Sequence, residues 1–243
     1  MVKKSGTFFL ILITALFLLA CGIDDVPFLY PIPDGNIRRD LFGTTIFIPE
    51  NNDVTFTHFA VYYKIYVSDT DSDTPLIMLH TINPTLAQDW DAISRHIDPE
   101  IPTNMNMHDL FTGRRFFPLH LQEELINRVL SSSVLGMSVT FSFPLRGTPW
   151  MTVGGVNYNL WRSDGHGTFE TRPDRYFRNR QELSETIDST INADVAPRAN
   201  LAPGARVVTY AAMFIVAVGR NPVTQATLHS TPALINVFRL PDW

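Results

Sequence analysis

The sequence predicts a mainly β domain, arranged as a two-sheet antiparallel sandwich with a helical insertion. Runs of β-branched and aromatic residues of strand length recur between residues 44 and 68 and again between residues 134 and 240. Apolar residues spaced as on a helical face occur near residues 84–130. Two packed sheets accommodate this order, because helices carried on loops leave the sheets undisturbed.

The N-terminus has the layout of a secretory leader. Lys3 and Lys4 precede the apolar run Phe8–Ala20, which reads FFLILITALFLLA. Thirteen residues in a helix would span roughly 20 Å, short of the ~30 Å hydrocarbon core, so a permanent transmembrane helix is disfavoured.

The end of this run resembles the lipobox of bacterial lipoproteins. Leu18, Leu19 and Ala20 stand where the signal peptidase recognises its substrate, directly before Cys21, the only cysteine in the chain. The resemblance implies cleavage before Cys21 and acylation with diacylglycerol and palmitate. It places the protein on a bacterial membrane, lipid-anchored and extracytoplasmic, on the outer membrane or the periplasmic face. The alternative is an ordinary secretory signal with an incidental cysteine.

We therefore predict three parts of the chain. Residues 1–20 are the signal peptide, and residues 21–41 are the lipidated cysteine with a tether that contains three prolines and no periodicity. Residues 42–243 form the β-sandwich domain, with the helical insertion near residues 84–130.

The first strands are predicted at Thr44–Ile48, Val54–Thr57 and Phe59–Ser68. Alternation in the last of these places Phe59, Val61, Tyr63, Ile65 and Val67 on one face.

Two helices are predicted in the insertion. Leu86–Ile97 has apolar residues at four-three-four spacing, and within Leu119–Leu130 apolar residues repeat every four positions.

The second half returns to strands. We predict strands at Val134–Phe143, Val223–His229 and Ala233–Leu240, and a hairpin at Gly154-Gly155, because both glycines tolerate positive φ. The apolar run Arg206–Val218 lacks alternation, which is typical of a central strand buried on two sides.

Three segments carry a wider resemblance. FAVYYKIYVSD, NYNLWRSD and VVTYAAMFIVAVG are similar to recurring segments of spirochaete-type lipoproteins of unknown function. That resemblance implies a fibronectin-type-III-like or immunoglobulin-like sandwich and assigns no catalytic residue.

Charge and cysteine content exclude several functions. Without residues 1–20 the chain keeps seventeen basic and 24 acidic residues, a formal net charge of −7. An acidic surface disfavours nucleic-acid binding. With Cys21 acylated, no thiol is left for catalysis, a disulfide or a metal.

The most suggestive polar cluster is RSDGHGT, which contains Arg162, Asp164 and His166, with Arg175 in the arginine-rich segment that follows. A histidine–carboxylate pair could serve acid–base chemistry, and guanidinium groups could bind an anion. The alternative is a loop in which Asp164 orders the turn. Asp69, Asp71 and Asp73 resemble the opening of a calcium loop, but Thr74 stands where glycine is required.

Aromatic residues form a second group of candidate binding residues. Tyr62 and Tyr66 fall on the polar face of their predicted strand, and Trp150 and Trp161 flank the hairpin. Such rings can stack on sugars or anchor a protein partner, and packing inside the domain would equally account for them.

We expect a non-enzymatic, lipid-anchored binding or structural module that contacts protein or carbohydrate, with no cofactor and no metal. The alternative is a lipid-anchored hydrolase or carbohydrate-active enzyme built from loop residues near 162–180, among them Asp164, His166 and Glu170.

Overall fold

The computed structural model describes residues 29–40, 42–50, 55–69, 116–122, 124–162, 176–177, 194–195 and 207–241. Within these ranges the chain is mainly β, with eleven strands in two antiparallel sheets and a single α-helix of one turn. The fold class predicted from the sequence is confirmed at this level.

The strands are β1 (Ile37–Arg39), β2 (Gly43–Phe47), β3 (Phe56–Asp69), β4 (Phe117–Pro118), β5 (His120–Leu121), β6 (Ser138–Ser142), β7 (Trp150–Val153), β8 (Val156–Trp161), β9 (Val207–Arg220), β10 (Thr227–His229) and β11 (Ala233–Arg239). Helix α1 spans Ile126–Val129, and 3-10 turns occupy Asp34–Asn36 and Ser132–Val134.

The first sheet has the strand order β1-β2-β6-β7-β8-β5. The second sheet has the order β10-β9-β3-β4, and β11 also pairs with β9. Its centre is the pair of fourteen-residue strands β3 and β9, which run antiparallel from Phe56 opposite Gly219 to Asp69 opposite Val207.

Strand β9 confirms the prediction of a strand buried on both sides. Every residue from Thr209 to Val218 is buried. Its neighbours on one edge are β10 and β11, and its neighbour on the other edge is β3. Because the side chains on both faces of β9 are buried, neither face is exposed to solvent, which explains the absence of polar alternation in its sequence.

A single hydrophobic core joins the inner faces of the two sheets. The second sheet contributes Phe59, Val61, Tyr63 and Ile65, as the alternation in β3 predicts, together with Ala211, Met213, Ile215 and Ala217 from β9. The first sheet contributes Ile46, Val139, Phe141, Met151 and Leu160. Phe143 stacks on Phe238 with ring centroids 4.1 Å apart.

The hairpin predicted at the paired glycines is present. Strands β7 and β8 pair from Val153 opposite Val156, and Gly154 and Gly155 have φ values of 56° and 83°. Two successive positive φ values are typical of a type I′ turn, whose twist matches that of the flanking strands.

The predicted tether is too long. Leu29, Ile32 and Ile37 are buried in the core, and β1 pairs with β2. Arg39 donates hydrogen bonds to the carbonyl oxygens of Leu234 (2.6 Å) and Ile235 (3.0 Å) at the irregularity in β11. Buried apolar residues between the prolines therefore extend the packed domain back to residue 29. The sequence analysis placed its start at residue 42.

The helix predicted over Leu119–Leu130 is wrong except at Ile126–Val129. Leu119 donates its backbone N–H to Val61, and β5 pairs with Leu160 and Trp161 of β8. Leu119 and Leu121 are buried by strand alternation, and Leu125 is exposed, so the four-residue apolar repeat is coincidental. The helix predicted at Leu86–Ile97 lies outside the described residues.

Candidate functional site

Arg162, the first member of the predicted ligand cluster, lies inside the protein. Its side chain is 2% exposed, and its Nε and Nη2 donate to the two carboxylate oxygens of Asp194 at 2.8 and 2.5 Å. Tyr63 donates its hydroxyl to Asp194 Oδ2 at 2.6 Å. Two parallel hydrogen bonds from the planar guanidinium match the two carboxylate oxygens, so the buried charge of Asp194 is paired.

This triad connects the two sheets. Tyr63 belongs to β3, Arg162 follows the end of β8, and the Asp194 carbonyl accepts a hydrogen bond from the Ile65 N–H. Burial by itself lowers the pKa of the Arg162 guanidinium, but the charge and hydrogen bonds of Asp194, together with the interaction with Tyr63, outweigh it and raise the pKa above its ordinary value. Arg162 is therefore a permanently charged structural residue, and its guanidinium is turned toward Asp194 rather than toward a ligand.

The other predicted site residues are not described. Asp164, His166 and Arg175 lie outside the described residues, as do Cys21 and the Leu18–Ala20 segment before it. Next to Arg175, the half-buried Tyr176 meets Trp161 edge to face at 5.0 Å between ring centroids.

The aromatic residues that the sequence places on surfaces differ in burial. Trp161 is buried, and Tyr62 is half-buried, which raises the pKa of its hydroxyl. Trp150 lies on the outer face of the first sheet and is also half-buried. The side chain of Tyr66 lies outside the described residues.

Around Trp150 the outer face of the first sheet forms a continuous polar surface, which we call the polar face. Its members alternate along their strands with the buried residues of the core. They are Arg38, Thr45, Phe47, Gln122, Ser138, Thr140, Ser142, Trp150, Thr152, Asn157 and Asn159.

Strand register arranges these side chains in rows. One row crosses five strands from Arg38 through Thr45, Thr140 and Thr152 to Asn157. The next row places Ser142 and Asn159 directly opposite Trp150, one on each side. Directly opposed residues have Cβ atoms about 4.5–5.5 Å apart, so each row is a contiguous strip.

Hydrogen bonds between neighbouring strands hold the strips together. The hydroxyls of Thr45 and Thr140 are 3.2 Å apart, and Thr152 donates its hydroxyl to Asn157 Oδ1 at 2.7 Å. Asn159 Nδ2 donates to Gln122 Oε1 at 2.6 Å. These contacts restrict the rotamers of the amide and hydroxyl groups, so the face presents ordered donors and acceptors.

The polar face is nearly free of formal charge. Among the described residues its charged groups are Arg38, at the β1 margin, and the exposed Asp40 carboxylate beside Gly43, which lies opposite Ser142, although the chain carries 43 charged side chains of Asp, Glu, Lys and Arg. The surface is thus suited to an uncharged hydrogen-bonding ligand or to water, and an ionic ligand has only one cation or one carboxylate to meet.

The sequence contained a signal for this face that motif-based reasoning missed. SVTFS, WMTV and VNYNLW each alternate a polar residue or Trp150 with apolar or aromatic residues on the opposite face. Placing β7 and β8 in register through the Gly154-Gly155 hairpin would have aligned Trp150 with Asn159, and pairing β6 with β7 adds Ser142 to the same row.

A concave region lies beside α1. It is an open groove of about 380 Å³ lined by Val129, Val134, Met137, Val153 and Tyr158, with Glu124 and Arg128 at its rim. Glu124 and Arg128 form an exposed ion pair at 3.7 Å, which adds little stability.

Across the part of the chain that the structure describes, no three His, Cys, Asp or Glu side chains converge as a metal site would require. No helix in that part is both long and apolar enough to cross a membrane. Comparisons with protein-family models, curated proteins and solved structures return no match to this chain.

Proposed function

We propose that this protein is a lipid-anchored extracytoplasmic module of the bacterial envelope that binds a ligand through the polar face of its first sheet. The observation that carries the proposal is the lipobox-like Leu18–Cys21 segment, which ends eight residues before Leu29, a buried residue of the packed domain and the first residue that the structure describes.

The short spacing has a geometric consequence. Eight residues span at most about 28 Å when fully extended, so an acylated Cys21 would hold the domain close to the membrane surface. A domain fixed at this distance meets components of the envelope rather than soluble partners at long range. This supports a role in binding or organising envelope material.

The fold and the resemblances favour binding over catalysis. We assign the two sheets to a sandwich of the fibronectin-type-III or immunoglobulin-like class, as in the spirochaete-type lipoproteins that the chain resembles. Arg162, a candidate for an active site near residues 162–180, is instead engaged by Asp194 and Tyr63. The ordered polar face supplies hydrogen-bonding groups without a nucleophile–base pair, which is the composition of a recognition surface.

The lipid anchor is tested by metabolic labelling with radioactive palmitate in a bacterial host. The wild-type chain should be labelled and recovered with membranes, and the Cys21→Ser variant should be unlabelled and recovered in the soluble fraction. Equal labelling of the two chains would contradict lipidation at Cys21.

The binding role is tested with the purified Cys21→Ser chain and washed envelope fragments from the same host. The chain should sediment with the fragments, and Trp150→Ala should sediment less. If the parent chain and the Trp150→Ala variant both stay in the supernatant, the result contradicts a binding role for the polar face.

A further inference from the structure

We infer that the ligand of the polar face is an uncharged glycan chain, with Trp150 as the stacking platform. This inference rests on the proposed function and narrows it to one class of ligand. Three observations lead to it: the position of Trp150, the kinds of polar group around it, and the near absence of charge.

Trp150 occupies the position that a stacking platform requires. It lies on β7, an inner strand of the first sheet, with β6 on one side and β8 on the other. The apolar face of a pyranose ring, made of C–H groups, packs on an indole ring, and the indole N–H remains able to bond a hydroxyl. Trp150 is half-buried, so part of the residue remains exposed to solvent.

The groups around Trp150 match the hydroxyls of a sugar. Ser142 and Asn159 adjoin it in its own row, and Thr140, Thr152 and Asn157 occupy the neighbouring row. Serine and threonine hydroxyls both donate and accept, as do asparagine amides, and a sugar hydroxyl requires the same two capacities. The cross-strand bonds described above use only part of this capacity, so they orient the groups and leave them able to bond a ligand.

Charge decides between ligand classes. An anionic glycan or nucleic acid would require several cations, but the polar face has only Arg38, at its margin. A cationic ligand would require several carboxylates, and among the described residues this face has only that of Asp40, beside Gly43 at its margin. A protein hot spot would require a desolvated apolar centre, whereas Trp150 is surrounded by hydroxyls and amides. An uncharged glycan remains as the class that fits.

The shape of the surface favours a chain over a single sugar. Four strands from β2 to β8 give a flat width of about 14 Å. Phe47, which is 49% exposed at the far margin, lies about 17 Å from Trp150 by strand geometry, and offers a second ring to a long ligand. Binding should therefore strengthen as the glycan lengthens.

The test is affinity electrophoresis of the full chain carrying Cys21→Ser through native gels. The gels contain one neutral polysaccharide each (glycol chitin, mannan or a soluble β-glucan), or the anionic polysaccharide alginate. We expect retardation by at least one neutral polysaccharide and none by alginate. Trp150→Ala should weaken binding about tenfold or more, and Asn157→Ala about twofold to tenfold.

The matched control is Tyr30→Ala, because Tyr30 is a 71% exposed aromatic residue outside the polar face. It should bind like the parent, and Trp150→Phe should recover part of the binding because it restores an aromatic ring. Titration with chito-oligosaccharides of two to six units should show affinity rising with length.

Three results would overturn the inference: no retardation by any of the three neutral polysaccharides, retardation by alginate alone, or binding that Trp150→Ala leaves unchanged. These failures are separate from failure of the proposed function. One outcome is that palmitate labels the wild-type chain and Trp150→Ala reduces sedimentation with envelope fragments, but no neutral polysaccharide binds. In that case the module binds another envelope component. If labelling fails while the glycans bind, the anchor alone is wrong.

Discussion

The outer faces of the two sheets differ in almost every respect. On the second sheet, the outward residues of β9 are Tyr210, Ala212, Phe214, Val216 and Val218, and all are buried. Phe116 packs edge to face on Phe214 with ring centroids 5.4 Å apart. On the first sheet the members of the polar face are mostly hydroxyls and amides around Trp150, and all are at least partly exposed.

This difference indicates a division of roles. Strand β9 is buried on both faces, so each face contributes hydrophobic stabilisation, at about 25 cal/mol per Å² of apolar surface removed from water. The polar face contributes little to stability, and its composition is then free to suit a ligand. Substitutions in the second sheet should therefore affect folding, and substitutions in the polar face should affect binding.

The largest effect is expected at the triad that joins the sheets. Asp194→Ala leaves the Arg162 guanidinium buried without its counter-charge and removes the acceptor of the Tyr63 hydroxyl, which should cost about 3–5 kcal/mol. The exposed ion pair between Arg128 and Glu124, at 3.7 Å, is the matched control. Glu124→Ala should cost less than about 1 kcal/mol. Urea unfolding measures both, and equal losses would contradict a buried structural role for Asp194.

The next effect concerns the core strand β9. Ile215 is 1% exposed and faces the first sheet. Ile215→Ala should lower the free energy of unfolding by about 2–5 kcal/mol, through lost transfer energy and a residual cavity. A loss below about 1 kcal/mol in urea unfolding would show that β9 is not central to the core.

A smaller effect should depend on pH. His58 and His229 pair with Val218 from opposite edges of β9. Burial lowers the pKa of both imidazoles from 6.5, and the charge of His229 lowers the pKa of His58 further. The folded state therefore disfavours protonation, so this contribution to stability is complete above pH 6.5 and is lost as pH falls through the lowered values.

Unfolding free energies measured between about pH 7.5 and pH 5.5 should decline for the wild-type chain. The decline should be shallower in the double variant His58→Gln, His229→Gln. The same slope in both chains would assign the pH dependence to other groups.

The smallest effect is expected on the polar face. Asn157 is exposed and its amide oxygen accepts one hydrogen bond, from Thr152. Asn157→Ala should change the free energy of unfolding by no more than about 0.5 kcal/mol. A loss comparable to that of Ile215→Ala would mean that the polar face is structural.

The local sequence pattern was sufficient to predict the strands, but it does not indicate which distant segments pair with each other. The alternation of β3, the unbroken apolar run of β9 and the paired glycines of the hairpin each specify structure within a few residues, and each prediction is confirmed. The segment around Leu119 was misassigned, because its backbone pairs with Val61 and β8, which are distant in sequence.

The site was harder to predict for the same reason. Arg162 stands in a loop-like, polar segment, and only its contact with Asp194, 32 residues later, makes it a buried structural group. The polar face has no motif, because its members come from separate strands and meet only through register. Recognition surfaces of this kind become visible in a sequence only after the strands have been aligned.

Thiol accessibility tests the contrast between the two outer faces most directly. Cys21 is the only cysteine, so a Cys21→Ser background permits single-cysteine labelling at Asn157→Cys on the polar face and at Val216→Cys on the second sheet. We predict that the thiol at position 157 reacts with a maleimide at nearly the rate seen in urea, and that the thiol at position 216, which replaces a side chain 1% exposed, reacts only on unfolding. Equal rates at the two positions in the native protein would contradict the account.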